Sequence, residues 1–296
     1  MMSKSKIEWT DKVWNPVTGC SKISPGCDNC YAERMSKRFA ETWGLSADNY
    51  FDVKFHPDRL LDPIKWRKPS KIFVCSMADL FHDKVLFKQI ADVFKIMADC
   101  PQHTFLLLTK RPDSMKDFFD YVKPVGRDWP LPNVWLGVTA ENQEQADKRI
   151  PILLQIPAAV RFVSVEPMLG PVDLQYYFDD YAMNELIHRS VTLDWVICGG
   201  ESGPKARPMH PEWARSLRDQ CQSAGVPYFF KQWGEWRPLE GTGACHPTPV
   251  KFWFDEWGKW TDGISGMGQH VVRIGKKAAG SLLDGQEWKQ FPGEAV

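Results

Sequence analysis

Residues 71–109 read KIFVCSMADLFHDKVLFKQIADVFKIMADCPQHTFLLLT, and the fold class is legible in them. An apolar run stands at each end, KIFVCS (71–76) and TFLLLT (104–109). Neither alternates apolar with polar residues as a strand with one wet face would, so both predict strands covered on two sides. Between them FKQIADVFKIMADC sets Ile90, Val93, Phe94 and Met97 at i, i+3, i+4 and i+7, the spacing of one buried helical face. Strand, helix, strand implies parallel pairing, because parallel neighbours need a crossover of about a dozen residues or more.

The same alternation continues on both sides. KVWNPVTG (12–19) precedes it, and VWLGVT (134–139), VRFVSVEP (160–167), DWVICGGE (194–201) and PYFFKQWG (227–234) follow. PEWARSLRDQCQSAG begins after a proline and ends at Gly225, sound start and stop signals for a helix. About seven strand candidates separated by helices predict an α/β fold, a partial or complete (β/α) barrel. A doubly wound open sheet is the alternative, since periodicity does not distinguish the two. From about Trp236 the alternation stops, and KFWFDEWGKW, HVVRIGKKAAG and LLDGQEWKQFP predict a small Trp-rich C-terminal extension. The expected domains are therefore 1–235, the barrel, and 236–296, the extension packed on it. Trp253, Trp257 and Trp260 are expected to bury area in a small core, with stacking on nucleic-acid bases the alternative. IKWRKPSK (64–71), Lys110-Arg111 and IGKKAAG are basic patches whose default reading is solvated surface, with phosphate contact the alternative.

Composition narrows the class. The 296 residues are 43% hydrophobic and 25% charged, an ordinary globular mixture. Lys plus Arg and Asp plus Glu stand at 37 each, so no global field recruits nucleic acid or an anionic membrane. No apolar run reaches about 18 residues, and the opening MMSKSKIEWTDKVW lacks the apolar core of a signal peptide. A soluble, cytoplasmic protein without membrane association is expected. Its eight cysteines should then be reduced thiols. Cys75, Cys100, Cys198, Cys221 and Cys245 are scattered singly and read as small buriable side chains, Cys100 and Cys221 within helices.

Cys20, Cys27 and Cys30 are clustered, in GCSKISPGCDNCYAERM (19–35). Clustered thiols in a reducing compartment point to metal or redox chemistry. The run after Cys30 takes helical spacing, which puts that thiol near a helix N-terminus and favours its thiolate. Three thiolates beside an open position suit an iron–sulfur cluster with one iron uncommitted. Zinc completed by a fourth side chain is a second reading, and incidental thiols a third.

In a parallel α/β protein the residues that follow the strands share the face where ligands bind. Here these are Ser76, Asp79, His82 and Asp83; Thr109-Lys110-Arg111; Thr139, Glu141 and Asn142; Glu166; Gly199-Gly200-Glu201; and Lys231, Gln232 and Trp233. Many polar residues begin loops simply because loops are wet. Glu166 and Glu201 are set apart, because each ends an apolar run, and a carboxylate at that depth has a partner or a ligand. Ser76, Asp79, Thr139, Glu141, Glu166, Gly199, Gly200 and Glu201 are the candidate cofactor-binding residues.

The cysteine loop, with IFVCSMADLF, LLTKRP, LGVTAENQ, FVSVEPMLGPVDL, GGESGPKARP, FFKQWGEW and GKKAAGSLLDG, resembles the phage-associated, radical-S-adenosylmethionine-like proteins that carry a three-cysteine motif. The resemblance runs from Ile7 to about Pro292. It implies a barrel of the radical-S-adenosylmethionine type and a [4Fe–4S] cluster on Cys20, Cys27 and Cys30. It also implies S-adenosylmethionine as cofactor, cleaved to a 5′-deoxyadenosyl radical. The substrate is not implied; the phage setting suggests a nucleotide or nucleic acid, and a phage-encoded partner protein. The wider superfamily uses C-x3-C-x2-C with an aromatic residue before the last cysteine; here the spacing is C-x6-C-x2-C and Tyr31 follows. A Gly-Gly-Glu-like motif usually follows its second strand; here CSMADLF stands there, so Ser76 and Asp79 hold that place by position alone. The alternative function is a metal-stabilised nucleic-acid-binding module without radical chemistry.

Overall fold

The computed structural model describes residues 7–43, 48–122, 129–179, 191–239, 251–254, 260–262 and 269–294, together with Ser5 and Ser46. The chain enters its main sheet at β1 (Lys12–Trp14) and leaves it at once. β2 (Val17–Thr18) pairs antiparallel with β3 (Lys54–Phe55) in a ribbon of its own. KVWNPVTG is thus two strands and not one. Pro16 has no N–H to give to a ladder, and the Asn15 side chain turns away to accept from the Met77 amide and the Ser76 hydroxyl.

Helix α1 (Tyr31–Arg38) follows the cysteine loop. The regular alternation then begins: β4 (Lys71–Val74), α2 (Phe87–Asp99), β5 (Thr104–Thr109), α3 (Pro112–Tyr121), β6 (Val134–Thr139), α4 (Gln143–Leu154) and β7 (Val160–Val165). β8 (Trp195–Gly199), α5 (Pro211–Ser223) and β9 (Tyr228–Gln232) complete it. The sheet runs β1-β4-β5-β6-β7-β8-β9, each strand beside its predecessor in the alternation. A doubly wound sheet reverses at a switch point, and no reversal occurs here. The fold is α/β with the strand order of a partial (β/α) barrel, one strand short of the closed form. Among the described residues no helix is long and apolar enough to cross a membrane.

The chain divides into two compact units, Met1–Thr139 with Asp147–Val163 and Val191–Leu193, and Ala140–Ala146 with Ser164–Ser190 and Asp194–Val296. In the first, β1 pairs parallel with β4, β4 with β5 and β5 with β6, in registers such as Ile72 on Phe105 and Leu107 on Leu136. Phe105, Leu106 and Leu107 are consecutive and all buried, so both faces of β5 are covered. Ile90, Val93, Phe94 and Met97 of α2 are buried as their spacing predicts, each contributing about 1.5–3 kcal/mol by leaving water. Gly137 of β6 makes room for a neighbour: a Cβ there would lie 2.5 Å from Cζ of Phe162.

In the second unit β8 and β9 pair parallel, with Ile197 on Phe229. Ala214, Leu217 and Cys221 of α5 are buried, and Tyr228 donates its hydroxyl proton to the Ala214 carbonyl at 3.1 Å. The helix stops where Gly225 takes φ +67°, a conformation that favours glycine. Beyond it β10 (Trp236–Pro238), β11 (Lys251–Phe254), β12 (Trp260–Asp262) and β13 (Gln269–Arg273) form a four-stranded antiparallel sheet, ordered β10-β13-β11-β12. Trp236 is buried with Ala206 and Val271. Trp257, Cys245 and the side chains of Trp253 and Trp260 lie outside the described residues.

Candidate functional site

The cysteine loop starts at a glycine that its surroundings require. Gly19 has φ +83°, and a Cβ there would fall 2.0 Å from the Asp52 carbonyl oxygen. Its amide donates to the Met77 carbonyl and the Cys20 amide to that of Phe51, so the loop leaves from beside the segment that follows β4. Pro25–Cys27 forms a single 3-10 turn with proline at its start, where a missing N–H costs nothing. Cys30 is the N-cap of α1, and its carbonyl accepts the first helical bond, from Arg34. The placement inferred from spacing is therefore found.

Burial separates the cysteines into two sets. Cys20, Cys27 and Cys30 are half-buried free thiols, whereas Cys75, Cys100, Cys198 and Cys221 are fully buried. Burial pushes the Cys198 thiol up to about 12, so it stays protonated and inert. Cys221 lies inside α5 as expected. Cys100 does not lie inside a helix: it caps α2, because Pro101 follows and disfavours helical backbone at the residue before it.

Cys20 is joined to the strand ends through Arg111. Nη1 of Arg111 donates to the Cys20 sulfur at 3.5 Å, and Nη2 donates to the Ser21 carbonyl at 3.2 Å and hydroxyl at 2.9 Å. Burial, with the Asp79 carboxylate second, raises the Cys20 pKa, and the guanidinium opposes both. Arg111 is itself fixed, 3.5 Å from Asp79, with its amide on the Thr109 hydroxyl. Asp79 accepts from the Thr109 hydroxyl at 2.7 Å and from the Lys110 and Phe81 amides. The Ser21 hydroxyl lies 2.8 Å from Nε2 of His82, a buried ring whose pKa falls because of burial first and Arg111 second. Lys110 reaches the Thr139 hydroxyl at 3.4 Å, and the Thr139 carbonyl accepts from buried Arg149. Ser76 points elsewhere, to Asn15.

Glu166, Gly199, Gly200, Glu201 and Glu141 belong to the second unit. Lys231 donates to both carboxylate oxygens of Glu166, at 2.7 and 2.9 Å. Gly199 leaves the space this needs, since a Cβ there would approach Cδ of Glu166 to 3.3 Å. Gly200 meets backbone instead: a Cβ would fall 2.0 Å from the Trp233 carbonyl oxygen. Glu201 is 5% exposed and accepts from the amide, Nε and Nη2 of Arg207, at 2.7, 2.9 and 2.6 Å. Glu141 is fully buried, and its carbonyl accepts from the Leu169 amide.

Among the described residues no three or more His, Cys, Asp or Glu side chains converge closely enough to hold a metal ion. The chemistry of the donor set nevertheless fits a soft metal. Three thiols outside any disulfide share one loop, one beside a guanidinium and one at a helix N-terminus.

The family described as "Protein of unknown function (DUF5131)" matches residues 4–292. The chain belongs to that family. Among solved structures, a cysteine-to-serine mutant of spore photoproduct lyase is similar at 11% identity with a TM-score of 0.45, over 92% of this chain and 71% of that one. No curated protein matches.

Within this DUF5131 chain the residues named from sequence fall into small groups. Cys20 and Asp79 meet through Arg111, Thr139 meets Lys110, and Glu166 lies against Gly199. Arg111, Ser21 and Arg207 were not among the candidate site residues. The reading of Lys110-Arg111 as solvated surface does not hold for Arg111, which is 11% exposed and engaged on three sides. Its position directly after β5, on the ligand face, was the available signal.

Proposed function

We propose that this protein is an iron–sulfur enzyme of the radical S-adenosylmethionine kind. Cys20, Cys27 and Cys30 hold a [4Fe–4S] cluster with one iron left for an exchangeable ligand, and S-adenosylmethionine is that ligand. The observation that supports the reading is the gathering of three free, half-buried thiols in one loop beside the C-terminal ends of β1 and β4. When bound, the cluster would supply one electron to the sulfonium, and the cofactor would carry the hard chemistry.

The chain's own residues bind and orient. Cys30 sits at the N-terminus of α1, and Arg111 donates to the Cys20 sulfur, opposing the rise in its pKa that burial and Asp79 cause. Half-buried Lys110, beside the Thr139 hydroxyl at the ends of β5 and β6, suits a carboxylate or phosphate oxygen. In the second unit the Glu166–Lys231 pair offers a polar group at the ends of β7 and β9. The substrate class we propose is a nucleotide or nucleic acid, with a phage-encoded partner protein and a cytoplasmic setting in which the thiols stay reduced.

The test is spectroscopic. Anaerobic, reduced protein should change its paramagnetic signal when S-adenosylmethionine is added, and should slowly release 5′-deoxyadenosine and methionine. An unchanged signal with no 5′-deoxyadenosine removes the radical chemistry. A colourless protein holding zinc favours a metal-stabilised binding module in its place.

A further inference from the structure

We infer that Arg111 is the positioning residue of the three-thiol loop: it clamps the Cys20 end of the loop and sets the electron affinity of whatever cluster the thiols hold. The inference rests on the cluster reading above.

Six residues separate Cys20 from Cys27, and an arm of that length does not fix its first thiol without help. At the Cys20 end the backbone bonds the Phe51 carbonyl, whereas the Cys27 amide bonds Ser24 within the arm itself. Arg111 adds a side-chain tie from the body of the unit to the same end, at Cys20 and Ser21. One face of its fork takes the Ser21 carbonyl and hydroxyl, and the other nitrogen takes the Cys20 sulfur. A planar guanidinium holds such a fork with little further loss of freedom, which a lysine cannot match. The fork is braced from behind by Asp79, which also takes the Thr109 hydroxyl and the Lys110 amide at the end of β5. Nε2 of His82, 3% exposed, lies 2.8 Å from the Ser21 hydroxyl. The loop is thereby keyed to a strand end and not to solvent.

The electrostatic consequence follows from the contact with sulfur. An N–H donor on a ligand thiolate stabilises the more negative, reduced form of an iron–sulfur cluster and so raises its potential. A guanidinium brings that donor together with a positive charge. The three thiols are unequal in this respect: Cys20 receives Arg111, Cys27 lies 3.9 Å from the Ser24 hydroxyl, and Cys30 sits at a helix N-terminus.

Two readouts on the full chain test the inference. In metal-free protein, deuterium uptake by a peptide spanning 20–27 should quicken about tenfold or more in Arg111→Gln, while a peptide from α2 is unaffected. In anaerobically reconstituted protein, without S-adenosylmethionine, the same variant should shift the one-electron equilibrium up to about tenfold toward the oxidised cluster, which is 59 mV. Arg111→Lys, which keeps the charge without the fork, should recover part of the potential but leave the arm exchanging fast. Ser21→Ala removes one acceptor and leaves Arg111 on sulfur, so it should quicken exchange and leave the potential in place. A wild-type cluster whose potential and arm exchange both survive Arg111→Gln overturns this inference alone. A wild-type chain that takes up neither iron nor sulfide overturns the cluster reading, and the inference with it.

Discussion

Glu201 carries a carboxylate to a position 5% exposed, and three donors of Arg207 account for it. Glu201→Gln keeps the volume but weakens charge-assisted bonds that contribute about 1.5–3 kcal/mol. Thermal unfolding should therefore occur several degrees lower, with iron content unchanged. Unchanged melting together with weakened S-adenosylmethionine binding would instead make Glu201 a ligand contact. The need for partners at Glu166 and Glu201 was readable, because each ends an apolar run. Their identity was not, since Lys231 lies 65 residues from Glu166 in the chain. The clustered thiols were the most legible feature, because spacing alone sets them apart. Arg111 is poorly legible in sequence, because a Lys-Arg pair after a strand has the pattern of solvated surface, and its partners Asp79 and Ser21 lie far along the chain.

Helix α5 shows how an element end couples to pH. His210 is its N-cap, and Nδ1 accepts from the Glu212 amide at 3.0 Å. That bond needs a neutral ring, and a positive charge at a helix N-terminus opposes the dipole. Burial, chiefly, lowers the His210 pKa from its ordinary 6.5. The unfolded chain thus binds the proton more readily than the native one. The stabilisation is present above pH 6.5 and is lost as the pH falls through the lower native value. Melting temperature should drop between pH 7.5 and 5, and His210→Asn, which caps without titrating, should flatten that drop. A variant with the same pH profile as the wild type would show that other groups dominate. The helix itself was legible from Pro211 and Gly225. The split of KVWNPVTG is not legible in the same way, because its apolar residues continue on both sides of Pro16.

For the chain as a whole, the strand order was readable from the alternation of apolar runs and amphipathic helices, since each run is too apolar to have a wet face. Periodicity left the doubly wound sheet open, and hydrogen-bonded order excludes it. The four-stranded sheet beyond Trp236 was only foreshadowed as an extension, because its strands are short and broken by glycines. The cysteine loop is set by three features of the fold: Gly19 turns the chain, Arg111 ties it, and α1 starts from Cys30. The most direct measurement is the iron and sulfide content of anaerobically reconstituted protein, compared with that of Cys27→Ala. About four irons and four sulfides per wild-type chain are expected, with visible absorbance lost in Cys27→Ala and kept in Cys100→Ala. A Cys27→Ala protein that retains its full iron would contradict the assignment of the three thiols as the cluster ligands.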